Sequence, residues 1–230
     1  MFRDLSESCI IVPSGQDNKL KQKDKAFLLA VCVGDGYLTK PNSSGRVNLV
    51  LQHSVAQEPY LQWKRDRIAA MVDGPSSNLT HFTSNGYPAV KWSKQHPYCS
   101  TLRTWLYKDN RKVISAKIVN KLTVEGLAVV WMDDGSMYAK KHPVTKKAKA
   151  LEGILSLYGT LHEATQLAVA LNNKFATQFK VVKHRDQYRL RLNTAGCKHL
   201  SSIIYSFMCP AMSYKIALAL DSELQLPLVA

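Results

Sequence analysis

Two short acidic segments offer the most chemistry in this sequence, Gly34-Asp35-Gly36 and Asp133-Asp134-Gly135. Each closes a run that is apolar nearly all round, Lys25 to Val33 in the first case and Gly126 to Met132 in the second. A helix without a polar face is buried on every side, so each run is predicted to be a core helix stopped by Asp-Gly. One Asp before a Gly commonly does no more than cap a turn. Two of them, each ending a buried helix, would share a site if the helices pack side by side and parallel. Ala26, Ala30 and Gly34 recur every fourth residue and would let a second backbone approach closely. Asp35 and Asp134 would then meet at one end of the seam, where paired carboxylates repel unless protonated or bridged by a cation. Oxygen ligation beside a phosphate-rich ligand favours Mg2+, and metals held in that way serve in-line cleavage of phosphodiesters.

The elements that must position these acids follow in the same order after each run. In the first half a strand-like stretch covers Tyr37 to Lys40. Arg46 to Gln52 then alternates, with Val47, Leu49 and Leu51 on one face and Arg46, Asn48 and Gln52 on the other. A helix over about Pro59 to Met71 follows, then a hairpin whose Ser84-Asn85-Gly86-Tyr87 turn favours type I′ geometry, with Val90 and Trp92 beyond it. A helix near Tyr98 to Tyr107 closes the half. In the second half the order repeats: Ser136 to Ala139, a strand near Gly153 to Tyr158, a helix over Leu161 to Phe175, strands at Phe179 to Lys183 and Tyr188 to Asn193, and a helix over Thr194 to Phe207. The pattern is α-β-β-α-β-β-α twice, which predicts an α+β protein built from two pseudo-symmetric αββαββα repeats. The expected organisation is a leader over 1–24, an N-terminal half over 25–116, and a C-terminal half with tail over 117–230.

Lys and Arg total 31 against 17 Asp and Glu, a formal charge of +14. Such an excess indicates a polyanionic partner. The five cysteines (Cys9, Cys32, Cys99, Cys197, Cys209) are odd in number, scattered and without a CxxC pair, which argues against a disulfide framework. Cys197, His199 and Cys209 fit no common zinc-module spacing. No apolar run is long enough to cross a bilayer, so no membrane partner is expected.

Leu28-Leu29-Ala30-Val31-Cys32-Val33-Gly34-Asp35-Gly36 and Leu127-Ala128-Val129-Val130-Trp131-Met132-Asp133-Asp134-Gly135 resemble the paired motif of the LAGLIDADG homing endonucleases, in the monomeric branch that carries both copies in one chain. The resemblance extends from about Lys25 to Ile216. It implies paired motif helices at the centre and antiparallel saddle-shaped sheets facing DNA. It also implies a monomer that makes metal-dependent double-strand breaks at a long non-palindromic site, in the service of intron or intein mobility. Two or three divalent ions, Mg2+ foremost, would be shared between the motif ends. Their ligands would be the carboxylates of Asp35 and Asp134 and the carbonyls of Gly34 and Asp133. Lys112 and Lys215 match the family's basic residues that organise the attacking water, and Gln52 stands where the family often has a polar active-site residue. The second-half counterpart of Gln52 is left open among Ser156, Leu157 and Tyr158. The first motif departs from the family name at Val33, and the second has Val129 where the first has Ala30.

For DNA, the alternation of Tyr188 to Asn193 puts Arg189, Arg191 and Asn193 on one strand face, with Lys183 and Arg185 extending the positive surface across the turn. Lys40, Arg46, Asn48, Gln52 and Lys91 are their expected equivalents in the first half. Arg, Asn and Gln on such a sheet have the donors and acceptors to read bases in the major groove. A lysine-rich loop from Lys140 and Lys141 through Lys149 is expected on backbone phosphates. The alternatives on the same fold are a group I intron RNA maturase, with intron RNA as partner, and a DNA-binding protein that does not cut.

Overall fold

The structure, a computed structural model, describes residues 20–72, 77–141, 144 and 148–220. Most of the expected leader, Cys9, His142 and Lys146 and Lys147 of the lysine-rich loop, and the tail from residue 221 lie outside the described residues. The first half runs α1 (Gln22–Val33), β1 (Tyr37–Leu38), β2 (Asn48–Ser54), α2 (Glu58–Ala69), β3 (Thr80–Ser84), β4 (Tyr87–Gln95) and α3 (Pro97–Leu106). A small hairpin of β5 (Tyr107–Lys108) and β6 (Arg111–Lys112) and a single-turn α4 (Ala116–Val119) lead into the second half. There follow α5 (Val124–Asp134), β7 (Gly135–Lys141), β8 (Ala148–Gly159), α6 (Leu161–Phe175), β9 (Lys180–His184), β10 (Gln187–Leu192), α7 (Thr194–Ile204) and α8 (Tyr214–Leu220).

Both sheets are antiparallel and four-stranded, ordered β1-β2-β4-β3 and β7-β8-β10-β9. The identical order is the repeat that the pattern of elements predicted. Leu49 and Leu51 of β2 are buried while Asn48 and Gln52 are exposed, so the alternation sets one face of the sheet on the helices and leaves the other to solvent. Asn85 and Gly86 both take positive φ (50° and 81°) between β3 and β4, the type I′ hairpin that Asn-Gly favours.

α1 and α5 lie at the centre of one continuous core. Phe27 through Val33 and Leu127 through Met132 are all at most 2% exposed. Thr123 caps α5 by accepting from the Gly126 N–H, and Thr160 and Glu163 form a reciprocal capping box at the start of α6.

Three elements depart from the sequence expectation. Lys140 and Lys141 belong to β7, paired with Ala150 and Ala148, and not to a loop. β8 begins at Ala148, since its two ends pair with different strands, β7 and β10. The expected closing helix stops at Ile204, and 3-10 turns at Tyr205–Phe207 and Pro210–Met212 bend the chain back into α8.

Candidate active site

Two glycines let the motif helices approach closely. A Cβ on Gly126 would stand 3.2 Å from the Ala30 Cβ, and a Cβ on Gly34 would fall 2.1 Å from Asp133 Oδ2. Ala30 meets Gly126 and Gly34 meets Asp133, so both helices run toward the same end of the seam. The small residue that α5 offers is thus Gly126, one turn before Val129. Asp35 and Asp134 come out together at this end.

Both acids are held above the usual carboxylate range. Burial, the Asp35 carboxylate and then Asp133 push Asp134 up from 3.8 to about 7, with Lys112 and Lys215 opposing. Asp35 is raised by desolvation and by Asp133, against the pull of Lys64, Lys215 and Lys112. Two carboxylates in this state gain from any divalent cation that binds them both.

Lys112 and Lys215 take matching positions. Lys112 Nζ donates to the Gly34 and Gly36 carbonyls at 2.7 and 3.0 Å, and Lys215 Nζ donates to the Met132 and Asp133 carbonyls at 2.5 and 3.1 Å. Each ammonium therefore sits on the free carbonyls at the end of one motif helix, where the helix dipole favours a cation. Burial lowers the pKa of both lysines, while the neighbouring acids raise it. β5–β6 delivers Lys112 and α8 delivers Lys215. The carbonyls of Gly34 and Asp133, expected as metal ligands, are shared with these ammonium groups.

The Asp133 side chain has a separate environment. It is fully buried, with Oδ2 accepting from the Asp35 backbone N–H at 3.0 Å and Oδ1 accepting from Tyr60 Oη at 2.8 Å and from Lys64 Nζ at 2.5 Å. Lys64 is itself fully buried and lies 3.3 Å from His53 Nε2. Burial, followed by Lys64, holds His53 down at about 4, so it is neutral where its Nδ1 stands 3.8 Å from Asp35 Oδ2. Asp35, His53 and Asp133 bring ligand atoms within 4.8 Å of one another. An ammonium already fills the space between His53 and Asp133, so that cluster is an ion pair with its hydrogen bonds met and does not suit a second cation. The Asp35 and Asp134 carboxylates do suit one.

The register of the two sheets settles the counterpart of Gln52. Tyr37, two residues after Asp35, pairs with Val50, and Ser136, two residues after Asp134, pairs with Ile154. Val50 thus corresponds to Ile154, Gln52 to Ser156 and His53 to Leu157. Gln52 lies on the exposed face of β2 opposite Lys91, with Nε2 3.5 Å from Ser84 Oγ. It is the next residue, His53, whose side chain reaches the acids.

On the outer sheet faces the expected DNA contacts divide. Asn48, Gln52 and Lys91 share one face through the β2–β4 pairing, while Lys40 and Arg46 lie exposed in the β1–β2 loop. Arg189 and Arg191 share a face with Val182 and Lys180, because cross-strand partners point the same way. Lys183 pairs with Tyr188 and so points to the other face, which corrects its grouping with the arginines; Lys180 takes that place. Arg185 sits in the β9–β10 turn with φ 54°. Asn193 Oδ1 is used as the N-cap of α7, accepting from the Gly196 N–H. Glu152, which the sequence reading passed over, stands among the cations, 3.7 Å from Arg191 and 3.9 Å from Lys140, and accepts from the Tyr138 hydroxyl.

Lys64 and Tyr60 were also missed, yet the sequence carries a signal for Lys64. Tyr60, Leu61, Lys64 and Ile68 are the buried positions of α2, and a lysine in such an apolar stripe needs a buried partner.

The model of the LAGLIDADG DNA endonuclease family matches residues 26–200, a span that includes both motif helices and both sheets. This chain belongs to the LAGLIDADG family. Among its relatives, a RecA protein from Mycolicibacterium chitae is 22% identical over 218 residues, which are 89% of this chain and 49% of that protein. This chain thus spans about half the length of the RecA proteins it matches. A probable intron-encoded DNA endonuclease 3 from Mycosarcoma maydis is 29% identical over 107 residues, 46% of this chain and 72% of that one. The solved structure of the homing endonuclease I-WcaI bound to its DNA recognition sequence has the same fold, with a TM-score of 0.69 over 90% of this LAGLIDADG chain and 95% of that one, at 21% identity. Among the described residues no helix is long and apolar enough to cross a membrane.

Proposed function

We propose that this LAGLIDADG chain, acting as a monomer, cuts both strands of duplex DNA at a long, non-palindromic site in a reaction that requires Mg2+. The observation that carries the reading is the meeting of Asp35 and Asp134 at the shared end of α1 and α5, where burial and the Asp35 carboxylate push Asp134 up. Divalent ions held by Asp35 and Asp134, with the Gly34 and Asp133 carbonyls beside them, would supply charge neutralisation at the phosphate and its attacking and leaving oxygens. Lys112 and Lys215 each carry an ammonium to the rim of this site. There they can hold a water for attack on phosphorus, or stabilise the charge that builds as the P–O ester bond breaks. The halves over 25–116 and 117–230 each supply one acid and one lysine, so one chain completes the site without a second copy.

The outer faces supply the contacts. Asn48, Gln52, Lys91, Arg189 and Arg191 would reach base edges, and Lys40, Arg46, Lys140, Lys141, Arg185 and, at the far edge, Lys183 would reach phosphates. Because the halves differ in these residues, they read different half-sites. The intron-encoded relative supports a role in intron mobility.

The test is to incubate the protein with host-genome or randomised duplex DNA in Mg2+ and in Ca2+ and to sequence the broken ends. Breaks at one long recurrent asymmetric sequence, made in Mg2+ and not in Ca2+, are expected. Specific binding without breaks in either metal would instead mark a DNA-binding protein that does not cut. Selective binding of structured intron RNA over duplex DNA would mark a maturase.

A further inference from the structure

The two edges of the acidic site are not equivalent, although the fold that builds them repeats. On one edge the Asp133 carboxylate fills the space against Gly34, and the Tyr60 hydroxyl and the Lys64 ammonium hold it there. His53 closes the set behind Lys64, with Gln57 Oε1 3.4 Å from its other ring nitrogen. No atom of this group is left to solvent on the Asp133–Lys64 side, since both side chains are fully buried. The second motif has Asp133 where the first has Gly34, and the second sheet has Leu157 where the first has His53. On that edge the corresponding space is a cavity of about 210 Å3, bordered by Gly34, Lys112, Asp134, Leu157, Ala164 and Leu167. One edge is thus braced by a buried ion pair, while the other is a cavity whose rim carries the solvent-exposed Arg111–Glu163 pair.

We propose that Lys64 is a positioning residue for one of the two strand cleavages: through Asp133 it fixes the Asp35 backbone and the end of α5 on the braced edge only. Asp133 is the strut, since its Oδ2 takes the Asp35 N–H while its own carbonyl is held by Lys215. Lys64 and Tyr60 keep the strut from rotating, which in turn sets where the Asp35 and Asp134 carboxylates can place a divalent ion. Lys64 is buried beneath the acids and touches neither DNA nor the reacting phosphate. This inference rests on the cleavage reading given above.

Lys64→Met keeps the length of the side chain and removes its charge and donors; Tyr60→Phe removes one hydroxyl and keeps the ring. Both are compared with the wild type in strand-resolved single-turnover cleavage of duplex labelled on one strand or the other. Duplex affinity in Ca2+, thermal stability, and Tb3+ luminescence titrations of the acidic site without DNA are measured alongside. For Lys64→Met the rate on one strand should fall at least about tenfold more than on the other, the size expected for losing one charge-assisted hydrogen bond. Tb3+ binding should weaken while DNA affinity holds. Tyr60→Phe should slow the same strand by a smaller factor, and it decides the matter if Lys64→Met does not fold. Equal slowing of both strands, or loss of cleavage in step with loss of DNA affinity, would overturn the proposal. Tb3+ affinity that is unchanged in both variants would overturn it as well. A wild type that binds Tb3+ but never cuts DNA would sink the cleavage reading, while a weaker Tb3+ site in Lys64→Met would still support the strut.

Discussion

Replacing Asp134 by Asn should make the metal-free protein more stable while removing its activity. In the folded state Asp134 is pushed from 3.8 to about 7 by burial and by Asp35 and Asp133. Its raised value means that the folded state binds the proton more tightly than the unfolded chain, so stability falls as pH rises between these two values. Below about pH 4 the carboxyl is protonated in both states and costs nothing. Above pH 7 the whole penalty is present: a shift of about three pKa units is worth about 4 kcal/mol at 1.36 kcal/mol each, and residual solvent contact reduces that to about 2–4 kcal/mol. Asn cannot ionise and escapes the penalty. At about 2–4 °C per kcal/mol for a domain of this size, Asp134→Asn should melt roughly 5–15 °C above the wild type at pH 8 in EDTA. The gap should close toward pH 4. Adding Mg2+ should raise the melting temperature of the wild type far more than that of the variant. Thermal unfolding by circular dichroism across pH 4 to 8 is the assay. A variant no more stable than the wild type at pH 8, or a gap that does not depend on pH, would refute the idea of a strained carboxylate pair.

Gly34→Ala would drive a methyl to 2.1 Å from Asp133 Oδ2, and that carboxylate is pinned by Tyr60 and Lys64, so the helices must part. Overpacking and a lost charge-assisted hydrogen bond together should cost about 3–5 kcal/mol in urea unfolding. Lys112→Met and Lys215→Met should each lower single-turnover cleavage by at least about a hundredfold, with duplex affinity in Ca2+ little changed. Parallel losses of affinity would show that these lysines bind rather than promote reaction. Arg191→Ala and Lys91→Ala should weaken duplex binding and make the dependence of log affinity on log salt shallower by up to about one unit each; an unchanged slope would move those residues off the DNA.

Much of this arrangement is legible in the sequence because it depends on local signals. The motif helices are recognisable from apolar runs that end in Gly-Asp-Gly and Asp-Asp-Gly, and α6 coincides with the predicted Leu161 to Phe175. The Asn85-Gly86 turn fixes the β3–β4 hairpin before any tertiary contact is known. What could not be read locally is register and burial. Choosing Ser156 over Leu157 requires the pairing of Ser136 with Ile154, a fact of the sheet and not of either segment. Lys183 went to the wrong face for a similar reason: alternation places residues on a strand, but only pairing relates one strand to the next. The motif spacing marks Asp134 as the carboxylate ligand and leaves Asp133 only its carbonyl. Its buried side chain depends on Lys64, which is far away in sequence. A buried charge is visible in sequence only as an exception within an apolar stripe, here Tyr60, Leu61, Lys64 and Ile68.

The central claim is that Asp35 and Asp134 form one composite site serving both strands. It is tested most directly by plasmid nicking with Asp35→Asn and Asp134→Asn under single-turnover conditions in Mg2+. The supercoiled substrate carries the recurrent site, and each strand is read separately. If the acids share the metal ions, either substitution abolishes cutting of both strands while specific binding in Ca2+ persists. If either variant still nicks one strand at the wild-type rate, the two motifs act as independent sites, and the account built on their meeting at the end of α1 and α5 fails.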